Sequence, residues 1–336
     1  MARQLYVLIV LLGVVACEGK QTLPKQLQQY QARMARVLDV ESQPNLTISL
    51  PPYPPEKVLR QPIPETKIKL FDFYNLKGCQ LYSLIAQRNT SLGKLQLPST
   101  RYIYERQLLL AIEGCISRTQ EPKLREKLRK WQQTKAQQLP MVWADLIQLS
   151  DETKQAFSAN FASINTGTQS GLSQTKEALS YLININQNTR PNSGELERHL
   201  QNLMKHPLPA KLWLSQLTLT RYLSYITPWL IKNTENIDCK PHKITKKAKY
   251  LTNVFQLFFI DNIQPIASQI NHYQYQLSPM LNKLQNHPRL SSDLKQYIRS
   301  LNQQGFDNYQ HAMQQHIQFW QAFFKRCHLK PGKIDL

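Results

Sequence analysis

Apolar residues recur at spacings of three and four along most of this chain, and no run of convincing length alternates with period two. In residues 25–39 (KQLQQYQARMARVLD), Leu27, Tyr30, Met34 and Leu38 fall on one face and predict an amphipathic helix. Further helices are expected over 70–88, 100–117, 122–149 (interrupted at Pro140), 150–164, 172–186, 195–205, 211–233, 245–275 and 291–326. The last carries Leu294, Tyr297, Ile298, Leu301, Phe306, Tyr309, Met313, Ile317, Trp320 and Phe324 as one core stripe. No internal repeat is visible. The fold class is therefore all-α, with two packed helical halves, 68–190 and 191–336, meeting near Asn188–Gly194 (NTRPNSG).

Between the first helix and the rest, Pro44 to Pro64 holds seven prolines. Each proline pushes its predecessor out of the helical region, so the segment reads as an extended arm. Leu50, Tyr53, Val58, Leu59 and Ile63 argue that this arm docks on the domain; a flexible linker is the alternative. Low glycine content, 10 residues against 20 prolines, also favours helices with proline-marked joints over a sheet protein.

Two apolar segments raise the question of membrane spanning. Leu208 to Ile231 contains Lys211 and Arg221, and each would cost roughly 2.5–3.5 kcal/mol at a bilayer centre. Val254 to Ile260 (VFQLFFI) is too short. Both are expected in the core.

The N-terminus differs in kind. Arg3 precedes a short apolar run, Leu5 to Leu12, and Val14-Val15-Ala16 leads into Cys17. The run is shorter than the ~20 apolar residues a permanent span needs, so it reads as a signal peptide of residues 1–16. The ending has lipobox character, with the Cys17 thiol as the acyl acceptor. Residues 17–67 are then a lipidated tether, a short helix and the proline-rich arm. Glu18, where inner-membrane retention favours Asp, points to the periplasmic face of the outer membrane of a Gram-negative bacterium. An ordinary cleaved signal with an incidental cysteine is the competing reading.

That address changes how charge and cysteine are weighed. The formal net charge is +20, from 42 Lys and Arg against 22 Asp and Glu. Such a charge favours anionic partners, and a periplasmic address sets nucleic acid aside in favour of anionic lipid or an envelope protein. Cys79, Cys115, Cys239 and Cys327 make an even set in an oxidising compartment. Of three pairings, Cys79–Cys115 with Cys239–Cys327 keeps each bridge within one half of the chain. A Cys/His zinc site from Cys239, His242, Cys327 and His328 is the weaker alternative.

Motifs for catalysis are weak. Ser91/Lys94, Ser173/Lys176 and Ser292/Lys295 match Ser-x-x-Lys, but Lys-Thr-Gly is absent. His311 and His316 are five apart and fall on different helix faces. Scattered carboxylates such as Glu105 and Glu113, eight apart and able to share a helix face, are candidates for a hydrolytic pair. The basic runs Lys123–Lys135 and Lys243–Lys249 read as solvated faces or as a patch for anionic lipid. No catalytic residue, metal or cofactor is assigned.

The block Cys79 to Glu105, CQLYSLIAQRNTSLGKLQLPSTRYIYE, resembles the family of Gram-negative lipoproteins known as domain of unknown function 3080. The matching positions are Cys79, Arg88, Asn89, Ser91, Leu92, Gly93, Ser99, Tyr104 and Glu105, with Thr90 standing where the family has Ser. The resemblance implies a lipoprotein of helical character and no known activity. Physically, Arg88, Asn89, Ser91, Gly93, Tyr104 and Glu105 would form either a polar network that fixes a turn or a small polar groove. Arg88 and Glu105 are expected to pair across it. The leading expectation is a non-enzymatic interaction or scaffold module of the envelope. A lipid- or glycan-binding protein and a carboxylate-using hydrolase are the alternatives.

Overall fold

The computed structural model describes residues 22–42, 46–90, 96–160, 163–165, 171–187, 192–240 and 243–330. The signal segment, Cys17, Ser91, Gly93 and His242 lie outside the described residues.

The all-α expectation holds. Helix α1 (Leu23–Leu38) starts on a proline-bearing first turn and buries Leu23, Leu27, Tyr30, Met34 and Leu38, the face read from the sequence plus its first residue. Full burial of such side chains stabilises the fold by about 1.5–3 kcal/mol each. The arm follows and contains a single helical turn, α2 (Glu56–Leu59). It is docked rather than free. Leu50 and Leu59 are buried, the Leu50 amide donates to Asn160 Oδ1 at 2.6 Å, and the Tyr53 hydroxyl donates to the Gln148 carbonyl at 3.2 Å.

The expected helix over 70–88 is two helices, α3 (Leu70–Tyr74) and α4 (Gln80–Arg88). Gly78, at φ +91°, breaks them; that left-handed backbone cannot continue a helix and suits glycine. Cys79 therefore caps α4 instead of lying inside it. Next come α5 (Pro98–Arg118) and α6 (Pro122–Leu149). Helix α6 runs unbroken through Pro140, against expectation. The turns after it bury Val142, Trp143, Leu146 and Ile147, and the Trp143 indole donates to the Leu182 carbonyl at 2.8 Å. Packing outweighs the one backbone hydrogen bond that proline removes.

Helix α7 (Asp151–Ser158) ends six residues before the expected Ile164. Ile164 is buried all the same, in a loop whose amide donates to Ser215 Oγ at 2.9 Å. Then follow α8 (Leu172–Asn184), α9 (Ser193–Lys205) and α10 (Leu208–Thr234). Helix α10 is the segment that raised the membrane question. It lies at the centre of the fold, packed against α1 and α7, with Trp213, Leu219, Tyr222, Leu223 and Ile226 buried. Among the described residues no helix is long and apolar enough to cross a membrane.

The C-terminal elements are two long rods, each with a π-helical insert. Helices α11 (Lys246–Val254) and α12 (Gln264–Gln285) are joined by a π segment, Phe255–Ile263. Helices α13 (Ser292–Arg299) and α14 (Gly305–Arg326) are joined by Ser300–Gln304. The π segment Phe255–Ile263 packs on α1, and α14 packs on α10. The only strands among the described residues are two-residue pieces, Cys239–Lys240 and Lys243–Ile244, paired antiparallel.

The larger core draws on both segments, 68–190 and 191–336, and on α1. A second, smaller cluster joins Leu76, Leu81, Leu84, Leu108, Ile112, Cys115, Leu124 and Leu128, forming a lobe of α3, α4, α5 and the first half of α6. Both disulfides have the favoured pairing. Cys79–Cys115, with Cα atoms 5.6 Å apart, ties the small lobe, and Cys239–Cys327, at 4.6 Å, ties the end of α14 to the strand pair. Cys239 and Cys327 are thus committed to each other, and no group of three metal-ligating side chains occurs among the described residues.

One polar cluster sits inside the larger core. His316 on α14 is fully buried; its Nε2 lies 3.0 Å from the Tyr30 hydroxyl of α1 and its Nδ1 lies 2.9 Å from Thr227 Oγ1 of α10. The Trp320 indole donates to the same Tyr30 hydroxyl at 3.0 Å. Burial pushes the His316 imidazole down to about 3, so it is neutral at every physiological pH.

Candidate functional site

A cleft of about 910 Å³ opens where the arm crosses α4, α5 and α6. Its size falls within the range of small-molecule sites. Four positions expected to form a polar groove or turn network, Arg88, Asn89, Tyr104 and Glu105, line it. They arrive from two elements. Asn89 ends α4, its amide bonded to the Ile85 and Ala86 carbonyls, and this places Arg88 on the last turn. Tyr104 and Glu105 stand one to two turns into α5.

Glu105 is the most buried charge of the cleft, and its partners are on its own helix and on α6. Arg101 Nη2 lies 2.7 Å from Oε1, and Lys135 Nζ lies 3.1 Å from Oε2. The Glu105 and Lys135 side chains are only 4% and 10% exposed. Arg88, expected to pair with Glu105, instead sets its guanidinium over the Tyr104 ring, 5.9 Å from the centroid. Burial and then the like charge of Arg101 pull the Arg88 guanidinium below its ordinary value. Burial raises the Tyr104 phenol to about 12, with neighbouring Glu105 acting in the same direction, so the phenol stays protonated.

The opposite wall comes from the arm and α6. Asp145 Oδ1 accepts the Gln61 amide at 2.9 Å, and Gln138 donates to the Pro64 carbonyl at 2.9 Å. These bonds fix the arm as a wall. Burial lifts the Asp145 carboxyl above the usual carboxylate value, partly offset by that amide and by Arg60. Ile63, Leu81, Ile85, Leu108, Ile112 and Trp131 are among the apolar side chains of the cleft's lining. Arg60, Lys67, Arg88, Arg101 and Lys135 face Glu65, Glu105 and Asp145 around it, a net excess of positive charge.

Other expected chemistry is not brought together. Glu113 is exposed on α5 and is absent from the cleft, so it forms no pair there with Glu105. Ser173 donates to Glu177, while Lys176 donates to Gln276 at 2.5 Å, so that Ser-x-x-Lys match makes no Ser–Lys couple. Ser292 donates to Asp293. Sequence reasoning did not single out Arg101 or Asp145, and it took Lys135 only as the end of a basic run that is either a solvated face or a patch for anionic lipid.

A family model described as protein of unknown function (DUF3080) matches residues 27–331. The chain belongs to the DUF3080 family. Its match spans the arm, the small lobe and the larger core, and so includes every wall of the cleft. In this DUF3080 protein, described residues of the block that carried the resemblance line that cleft or adjoin it: Arg88 and Asn89 close α4 and line it, Ser99 is buried at the start of α5, and Tyr104 and Glu105 line it from α5. No curated protein and no solved structure matches the chain.

Proposed function

We propose that this DUF3080 protein is a lipid-anchored envelope protein that binds an anionic amphiphile in the cleft between the arm and the small lobe. The observation that carries the reading is the juxtaposition, in the lining of one 910 Å³ cleft, of apolar side chains with more cations than carboxylates. Arg88 and Arg101 both line that space, so an anion there would meet two guanidinium groups. The apolar side chains of the lining offer burial to a chain or ring attached to the anion. The reading favours binding over hydrolysis, because both oxygens of Glu105 are held by Arg101 and Lys135.

Titration with dihexanoyl phosphatidylglycerol below its micelle concentration, against dihexanoyl phosphatidylcholine, tests the cleft. The anionic lipid is expected to bind more tightly and to weaken with added salt. Arg88→Gln is expected to lose roughly tenfold in affinity, the worth of one charge-assisted contact. Equal affinity for the two lipids, or an unaffected variant, would sink the reading.

The address rests on Val14-Val15-Ala16-Cys17 and on Glu18, which support an acylated Cys17 and an outer-membrane location on the periplasmic side. In cells fed a labelled palmitate, label is expected in the parent protein and absent from Cys17→Ser. Label retained by that variant would refute the anchor.

A further inference from the structure

We propose that α3 is a membrane-docking tip that seats the small lobe on an anionic lipid leaflet. The proposal is independent of what the cleft holds.

Helix α3 is five residues long, yet it exposes three large apolar side chains: Leu70 at 70%, Phe71 at 74% and Tyr74 at 49%. Scattered apolar residues on a surface need no explanation, but three on one short helix form a patch. The patch is not a loose end. On the inner side of α3, buried Asp72 receives Lys127 Nζ of α6 at 2.6 Å, and the Phe73 ring stacks on Tyr82 of α4 at 4.4 Å. Leu76, two residues past the helix, is fully buried in the small cluster, and Cys79 ties the next turn to α5. The outward side chains are therefore held outward by the packing of the inward ones.

Charge identifies what covers them. Lys67, Lys69 and Lys77 are exposed around the patch, and Lys77 Nζ stands 5.1 Å from the Tyr74 ring centroid. Lys123 lies one helical turn before Lys127 on α6 and is exposed as well. Between residues 66 and 77 the single carboxylate is Asp72, buried and already paired. An apolar knob with an ammonium rim matches an anionic bilayer: rings and Leu enter the boundary of headgroup and acyl chain, and the lysines stay at the phosphates. Thr66, Lys67 and Ile68 also line the cleft, so this docking would place the cleft mouth near the leaflet.

The test puts a reporter at the tip of the full chain. Phe71→Trp adds an indole to the five native tryptophans, whose signal is subtracted using the parent protein. With phosphatidylglycerol vesicles carrying brominated acyl chains, the introduced indole is expected to shift to the blue and to be quenched. Phosphatidylcholine vesicles should do so weakly. Lys69→Gln and Lys77→Gln, neither of which lines the cleft, are each expected to weaken the response about fivefold. Lys232→Gln, an exposed charge on α10 that lines no part of the cleft, should leave it unchanged. Any of three results would overturn the proposal: no quenching in phosphatidylglycerol, equal quenching in phosphatidylcholine, or a response weakened as much by Lys232→Gln as by Lys69→Gln. A blue shift produced only by lipid-free envelope protein would also overturn it and assign the tip to a protein partner.

Discussion

Lowering the pH from 7 to 4 is expected to cost the folded protein about 3 kcal/mol through His316 alone. Unfolded, its imidazole titrates near its ordinary value of 6.5; folded, burial lowers it to about 3. Below the unfolded value the unfolded chain takes up a proton that the native state refuses. Stability is therefore complete above about 6.5, falls as pH drops, and loses at most about 5 kcal/mol near pH 3. The native state refuses the proton because the site has no carboxylate. The polar neighbours of the ring are Tyr30, Thr227 and Trp320, and Phe255 and Phe259 pack around it. His199 and His287, also lowered by burial, add to the slope with the same sign. Urea unfolding at pH 7, 6, 5 and 4 checks this. His316→Gln should be less stable at pH 7, since Tyr30 and Thr227 lose a well-placed partner, yet its stability should fall less steeply toward pH 4. Identical slopes for parent and variant would show that another group drives acid unfolding.

The same cluster shows what the sequence disclosed and what it hid. Helix α14 was legible because Tyr309, Trp320 and Phe324 recur on one stripe, and period alone decides that. His316 belongs to that face too, but as a polar letter it carried no sign of burial. Its partners Tyr30 and Thr227 lie 286 and 89 residues away. Helix ends failed for local reasons that pattern cannot weigh. Gly78 takes a left-handed turn that splits 70–88, whereas Pro140 is overridden by the burial of Val142 and Trp143. Ile164 was read as helical because it is apolar; it is buried, but in a loop.

The cleft was half legible. Arg88, Asn89, Tyr104 and Glu105 stood out as an unusual polar block, and all four line it. The arm that forms its far wall was also expected to dock. Which cations meet Glu105 was not readable. Lys135 sits in a stretch of α6 rich in Lys and Gln, and only the packing of α5 on α6 decides that it points inward. The hairpin brings Arg88 and Glu105 to the same cleft, yet Arg88 lies over the Tyr104 ring. Arg101, one turn before Glu105 on the same helix, wins because an i,i+4 pair needs no tertiary alignment.

Removing that carboxylate is expected to be among the most damaging single changes in the small lobe. Glu105 holds two cations, and Lys135 is itself 10% exposed, so Glu105→Gln leaves a buried ammonium facing a guanidinium without a counter-charge. Breaking a buried ion pair from one side costs about 3–5 kcal/mol, and the lower figure applies here because Arg101 is about a third exposed and partly screened by water. Lys135→Leu placed on top of Glu105→Gln removes the stranded charge and should recover part of the loss. The double-mutant cycle between the two positions, read from urea midpoints, isolates that coupling. Midpoints of parent and Glu105→Gln that coincide would mean the triad is solvated and contributes nothing. Affinity separates structure from ligand binding in the same variant. Without Glu105 the cleft carries one more net positive charge, so the folded fraction should bind dihexanoyl phosphatidylglycerol at least as tightly as the parent while being less stable. Lower stability with higher affinity would mark Glu105 as a counter-charge that competes with the anion for Arg101 and Lys135; a fall in both would mark it as the group that holds those cations in place for the ligand.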